Sequence, residues 1–166
     1  MKHKAIIIIL AIVLCAGGFA GWKYYQYNYV EEVTDYYRVE YQPPVAQTYY
    51  GITTYTKPEI KIEQQREYES EDAAYDDISK WVAGKKGNLP EMMVKEMEGK
   101  DEMQSKIIQQ AFQEMMEKEY ILMIFTHTRD YDASEYIEKV KEYGINSDKL
   151  KDYIEEHHLT VRMRPI

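Results

Sequence analysis

Hydrophobic and polar positions divide this chain into three parts, and the sharpest contrast lies near the N-terminus. Residues 5–22 carry no charge, and lysines stand on both sides of this run at Lys4 and Lys23. An α-helix of that length rises about 27 Å, close to the ~30 Å hydrocarbon core of a bilayer. Residues 1–23 are therefore predicted to be a membrane anchor or a signal peptide, and either one exports the remaining chain.

Two interpretations of the apolar run stay open. As a retained anchor, it gives a single-pass membrane protein with a cytoplasmic N-terminus and an extracytoplasmic C-terminal domain. As a signal peptide, it ends in small residues, and the protein is secreted after cleavage near Ala20. Gly17 and Gly21 form a GxxxG pair, so a homodimer through closely packed membrane helices is a further hypothesis.

Residues 24–65 are rich in tyrosine and alternate between apolar and polar side chains. From Tyr25 to Tyr41, seven of nine odd positions are apolar or aromatic, against two of eight even positions. This period of two is typical of a half-buried β-strand. Pro43-Pro44 interrupts it, and strand-favouring residues resume from Val45 to Thr56. We expect an extended or β segment, with a stalk as the alternative interpretation.

From residue 66 onward the apolar positions follow a helical period. The residues 66–166 are predicted to form a domain of five amphipathic helices, with glycines between several of them. The longest apolar stripe follows Asp101. We expect this stripe to be buried in the core, with an adaptable peptide-binding groove as the alternative, because methionine side chains also line such grooves. The members of the stripe are Met103, Ile107, Ile108, Ala111, Phe112, Met115 and Met116.

Two segments of this domain carry strand signals. Residues 120–125 are apolar on every side, which fits either the buried end of a helix or a central strand that reaches Thr128. The absence of a breaker favours the helix. Residues 159–164 alternate, which predicts a short final strand. The predicted fold class is α+β: a mainly helical exported domain after one transmembrane helix, with a tyrosine-rich extended or β segment near the membrane.

Charge and cysteine usage narrow the function classes. The net charge is −8, and the chain beyond Lys23 is more acidic still, because three lysines lie in its first 23 residues. An acidic surface repels phosphate backbones, so we expect no nucleic-acid partner. The only cysteine lies in the apolar run, so the exported part contains no disulfide.

No motif predicts a catalytic residue, a metal site or a cofactor. His157 and His158 are adjacent, so on a helix they point about 100° apart and do not readily share one metal ion. His127 lies in a polar segment without a nucleophile elbow or a glycine-rich oxyanion loop. We interpret His157 and His158 as residues of a helix end and His127 as part of an ordinary loop, in preference to a catalytic or metal-binding role.

Three functional hypotheses follow. The first is a membrane-anchored, extracytoplasmic, non-catalytic interaction or scaffold protein with a protein partner, accessory to an envelope complex. The second is an envelope glycan-binding protein, since tyrosine rings stack on sugars and also suit protein contacts. The third is an unrecognised metal-dependent enzyme, in which His127, His157 and His158 meet in space. The candidate glycan or partner contacts are Tyr25, Tyr27, Tyr29, Tyr37 and Tyr41.

Overall fold

The computed structural model describes residues 2–28 and 31–166, with side chains at residues 6–24 and 31–166. It has the mixed α+β composition predicted from the sequence, with five helices beyond the N-terminal one. The elements are α1 (Lys2–Asn28), β1 (Glu32–Gln42), β2 (Ala46–Tyr49), β3 (Ile52–Tyr55), β4 (Glu59–Gln64), α2 (Glu71–Gly87), α3 (Leu89–Met97), α4 (Glu102–Glu117), β5 (Glu119–Thr128), α5 (Ala133–Tyr143), α6 (Asp148–Glu156) and β6 (Thr160–Pro165).

α1 contains the apolar run. Within the described part of the chain, one helix is long and apolar enough to span a membrane, and it is the segment Ile6–Tyr24 of α1. Its mean hydropathy is 2.2, and none of it is buried. These properties belong equally to a membrane anchor and to a signal sequence.

Four strands form one sheet in the order β4-β1-β5-β6. β1 and β4 run antiparallel, with Tyr37 opposite Gln64 and Gln42 opposite Glu59. β5 and β6 are also antiparallel. The sheet therefore combines strands from the predicted tyrosine-rich segment with strands from the predicted helical domain. Contacts divide the chain into two compact units, Met1–Val33 with Thr128–Tyr131, and Thr34–His127 with Asp132–Ile166.

The segment 120–128 is a strand, so the preference for a helix was wrong. One side of β5 carries Leu122 and Ile124, which join Ile78 of α2 in a buried cluster. The other side carries Phe125, which stacks on Tyr136 of α5 with ring centroids 4.5 Å apart. Because helices cover both faces of this strand, it is apolar on every side, and periodicity alone cannot distinguish it from a buried helix.

The short final strand β6 agrees with the sequence prediction, and so does the period-two strand from Glu32 onward. The part of that pattern before Asn28 was wrong, because residues 25–28 continue the helix α1. Tyr37 and Val39 are buried on one face of β1, while Arg38 and Glu40 project from the other. β2 and β3 form a separate two-stranded sheet joined by a tight turn. The strand-favouring residues between the prolines and Thr56 are thus a hairpin outside the main sheet.

The expected burial of the apolar stripe on α4 was wrong. Phe112 is the buried residue of this helix, whereas Met103 and Ile107 are largely exposed. α4 begins at Asp101, whose side chain accepts a hydrogen bond from Gln104 N at 2.8 Å in a capping box. The helical period identified the residues that share a face, but it could not show whether another element covers that face.

Candidate functional site

An apolar surface without a covering element lies on the helical hairpin α3–α4. We call it the apolar face and define it by side chains that are 43% to 75% exposed. Its members are Met92, Val94, Met103, Ile107, Met115 and Met116. Large exposed apolar side chains concentrated on one pair of helices indicate a candidate interaction surface.

The geometry of α4 explains why this face stays open. Met103 and Ile107 are four residues apart, so they project from one side of the helix. Met115 and Met116 lie near its C-terminal end and line the cavities beside it. The neighbouring side, with Phe112, packs against α3 near Leu89 and Met93, around a cavity of about 330 Å³. The two helices therefore bury only part of their apolar surface in each other.

A second exposed surface is the β2–β3 hairpin. Tyr49, Ile52 and Tyr55 are all strongly exposed, and Tyr50 at the turn is 99% exposed. Tyr50 and Gly51 have φ angles of 48° and 81°, as two-residue hairpin turns require. An isolated two-stranded hairpin has little stability of its own in water, so four exposed apolar residues on it indicate a contact role.

The hairpin and α4 border the same depression. Val45 and Thr56, at the base of the hairpin, line a cavity of about 340 Å³ together with Ala111 and Met115 of α4. Val45 N donates to Thr56 Oγ1 at 2.8 Å and Thr56 N donates to Val45 O at 3.0 Å, which closes the hairpin base. The base of the hairpin and the C-terminal half of α4 thus share one concave region.

Of the five predicted tyrosine contacts, the structure describes the side chains of Tyr37 and Tyr41. The side chains of Tyr25 and Tyr27 and the whole of Tyr29 lie outside the described residues. Tyr37 is only 5% exposed, which leaves little of its ring for a sugar or a partner to contact. Tyr41 is half-buried and lines a cavity of about 180 Å³ beside the α5–α6 turn.

Burial in this part of the sheet raises the pKa of the Tyr37 phenol to about 12, with the nearby Asp35 carboxylate as the second cause. The phenol therefore stays neutral, as expected for a tyrosine of the core.

The histidines lie in different elements. His127 on β5 is buried, with Nε2 at 3.0 Å from Asp35 Oδ2 and its ring stacked on Phe125. His157 lies after the last turn of α6, where its Nδ1 is 3.0 Å from Tyr153 O. Among the residues that the structure describes, no three His, Cys, Asp or Glu side chains are grouped so that they could hold a metal ion.

Sequence reasoning missed a cluster of charges around Glu40 of β1. The Glu40 side chain is 5% exposed, and three cations surround its carboxylate. Arg38 Nε and Lys85 Nζ lie 3.6 Å and 3.8 Å from Oε1, and Lys118 Nζ lies 3.7 Å from Oε2. These distances exceed the ~2.7–2.9 Å of a charge-assisted hydrogen bond. No hydrogen-bond partner for Oε1 lies within the described chain.

Aromatic rings form the other wall of this cluster. The Arg38 guanidinium lies 3.7 Å from the centre of the Trp81 ring, and the Lys85 ammonium lies 4.5 Å from it. Trp81 also meets Tyr120 edge to face at 5.6 Å. Burial raises the pKa of the Tyr120 phenol, and the Glu40 charge adds to this effect. Four elements of the fold therefore bring their cations and rings together at one point.

The sequence pattern offered no signal for this cluster. Arg38 and Glu40 occupy polar positions of the alternating strand, as expected for a face open to solvent, whereas the structure buries Glu40 on that face.

Comparison with known proteins gave no match to a family model, to a curated protein sequence or to a solved structure. The functional interpretation therefore rests on the geometry of this chain.

Proposed function

We propose that this protein is a membrane-tethered, extracytoplasmic, non-catalytic interaction protein, in which the apolar face of α3–α4 contacts a protein partner. The apolar face itself carries the proposal, because six large apolar side chains stay exposed on one helical hairpin. Methionine predominates there, and its flexible, polarisable side chain adapts to partner surfaces of irregular shape.

The energetics favour a covered state of this face. Burial of apolar area contributes roughly 25 cal/mol per Å², so full burial of a methionine or isoleucine side chain stabilises by about 1.5–3 kcal/mol. The six residues of the apolar face are still about half exposed. Their burial against a partner would contribute several kcal/mol before the cost of association is subtracted.

The apolar helix α1 supports the tether. Its length and hydropathy suit a bilayer. The lysines at its start favour a cytoplasmic N-terminus, which puts residues 31–166 on the opposite side. A retained anchor also confines residues 31–166 to a thin layer next to the membrane. The effective concentration of another membrane-bound protein is high in this layer, which strengthens a weak contact with it. Secretion after cleavage near Ala20 is the alternative, and N-terminal sequencing of the mature protein distinguishes the two.

Site-specific photocrosslinking tests the contact. In one sample a photoreactive residue replaces Ile107 of the apolar face, and in the matched control it replaces Lys80, an exposed residue of α2. Both full-length chains are expressed in the membrane of the native host. We expect Ile107 to give one discrete crosslinked species that Lys80 does not give. The variant Met103→Lys should abolish this species.

The composition of the crosslinked species decides between occupants. A heteromeric species of fixed mass supports the proposal, whereas a species with twice the mass of this chain would show self-association instead. Crosslinks to lipid alone, or equal crosslinking from both positions, would overturn the proposal.

The exposed tyrosines of the β2–β3 hairpin favour glycan binding as a second candidate function. Tyr49 and Tyr50 have ring centroids 6.0 Å apart and offer two largely free faces for stacking on sugars. We expect Tyr49→Ala and Tyr50→Ala to abolish co-sedimentation of the protein with cell-wall glycan, while Met103→Ala leaves it unchanged. Absence of co-sedimentation by the unmodified protein would eliminate this function.

A further inference from the structure

We propose that the cavity between Lys85 and Lys118 is a binding site for a carboxylate or phosphate group carried on a small organic ligand. The cavity has a volume of about 210 Å³ and is lined by Lys85, Leu89, Met115, Lys118 and Tyr120. Two lysines and no carboxylate line it, in a chain whose net charge is −8. Met115 lines this cavity and also belongs to the apolar face, but anion binding between the two lysines does not require the protein contact proposed there.

The buried Glu40 explains why the two ammonium groups converge. Lys85 comes from the end of α2, and Lys118 follows α4, yet both Nζ atoms lie within 3.8 Å of the same carboxylate. One carboxylate does not neutralise two lysines and Arg38, even though Arg38 also contacts Glu63. The cluster therefore keeps positive charge that an incoming anion can compensate.

The hydrogen bonding of the Glu40 cluster is incomplete. Arg38 Nε and Glu40 Oε1 are buried and lie 3.6 Å apart, without a hydrogen bond to each other or to another described residue. Buried polar groups are normally hydrogen-bonded, so the incomplete set calls for an explanation, and the lysines that contact Glu40 also line the cavity. Each lysine ammonium has three donors, and its contact with Glu40 is too long to use one well.

The other walls specify the rest of the ligand. Leu89 and Met115 offer apolar surface on one side, and the Tyr120 ring offers an aromatic wall on another. A short apolar group attached to the anion would fill this space and exclude water from the ion pairs, which strengthens them. The lysine side chains are 46% and 29% exposed, so the ligand reaches them from solvent.

The test uses the full chain in detergent micelles with Trp22→Phe, so that Trp81 is the one remaining tryptophan. Trp81 lies 4.5 Å from the Lys85 ammonium, so its fluorescence should respond when an anion binds there. The probes are butyrate and butyl phosphate, with neutral butyramide as the control, all at constant ionic strength. We expect a saturable fluorescence change with at least one anion and none with butyramide.

Lysine variants then locate the site. Lys85→Gln and Lys118→Gln should each weaken binding about tenfold or more, corresponding to about 1.4 kcal/mol. Lys118→Arg, which keeps the charge, should retain binding, and so should Lys80→Gln on the exposed side of α2. Circular dichroism verifies that each variant is folded. No saturable response to either anion, an equal response to butyramide, or equal loss in Lys80→Gln would overturn the proposal.

Discussion

Removal of the Tyr136 hydroxyl should stabilise the protein. Tyr136 is completely buried on α5, and its ring stacks on Phe125 at an interplanar angle of 8°. Its hydroxyl is buried and has no hydrogen-bond partner among the described residues. Burial accordingly raises the pKa of this phenol far above its usual value. Tyr136→Phe keeps the stacked ring and removes only the unpaired polar group.

The magnitude follows from two opposing terms. A buried polar group without a partner costs about 1–3 kcal/mol, and this penalty disappears in the variant. The void left by one oxygen atom costs a fraction of a kcal/mol, at ~24 cal/mol per Å³ of cavity. We expect a net gain of about 1 kcal/mol in the free energy of unfolding, equivalent to a rise of roughly 4 °C in Tm for a domain of this size.

Urea unfolding of the full chain in micelles measures this gain, with Trp81 as the reporter in a Trp22→Phe background. The matched control is Tyr68→Phe, because the Tyr68 hydroxyl donates a hydrogen bond of 2.6 Å to Asp77 Oδ2. The two variants should shift the unfolding midpoint in opposite directions at an unchanged m-value. A loss of 1 kcal/mol or more in Tyr136→Phe would refute the reasoning, because it would reveal a favourable bond to the hydroxyl.

Three further predictions concern the core, the ion cluster and alkaline pH. Leu122→Ala truncates a side chain that is fully buried against α2, so the free energy of unfolding measured by calorimetry should fall by about 2–5 kcal/mol. Glu40→Gln leaves three cations facing one another and should lower the free energy of unfolding by about 2 kcal/mol. This is less than for a fully buried ion pair, because both lysines reach solvent. Added salt should reduce the loss, because it screens the repulsion between the cations. Burial raises the pKa of both Tyr37 and Tyr68 to about 12, so their protons are held more tightly in the folded protein. This stabilisation is complete below pH 10 and is lost as the pH rises towards 12. In the double variant Tyr37→Phe/Tyr68→Phe, the unfolding midpoint should therefore depend less on pH between 10 and 12 than it does in the unmodified protein.

The sequence predicted those elements whose signal is local. The alternation of Tyr37, Val39 and Tyr41 identified β1, and the composition of residues 5–22 identified α1, because both depend on neighbouring residues. The helices after residue 66 were likewise recognisable from their period. For 120–128 the same method gave the wrong element, since a strand covered on both faces leaves no polar side.

The candidate sites were much less accessible from the sequence. The exposure of Ile107 depends on which elements fail to cover α4, and that is a property of the whole fold. Glu40, Lys85 and Lys118 are far apart in the chain and meet only because β1, α2 and the end of α4 come together. The tyrosine-rich composition did indicate exposed aromatic residues, but it could not show that the β2–β3 hairpin would expose Tyr49, Tyr50 and Tyr55 while β1 buries Tyr37.

The strand order β4-β1-β5-β6 has a consequence for biosynthesis. β1 emerges early, but its neighbour β5 begins at Glu119, and the edge strand β6 ends only at Pro165. Long loops must close before these distant strands can pair, which slows folding and postpones it until almost the whole chain has left the ribosome. A chain that stays unpaired during synthesis remains in the state that a translocation channel can accept. Truncation before Thr160 would leave β5, the most apolar strand, as an unprotected edge prone to aggregation.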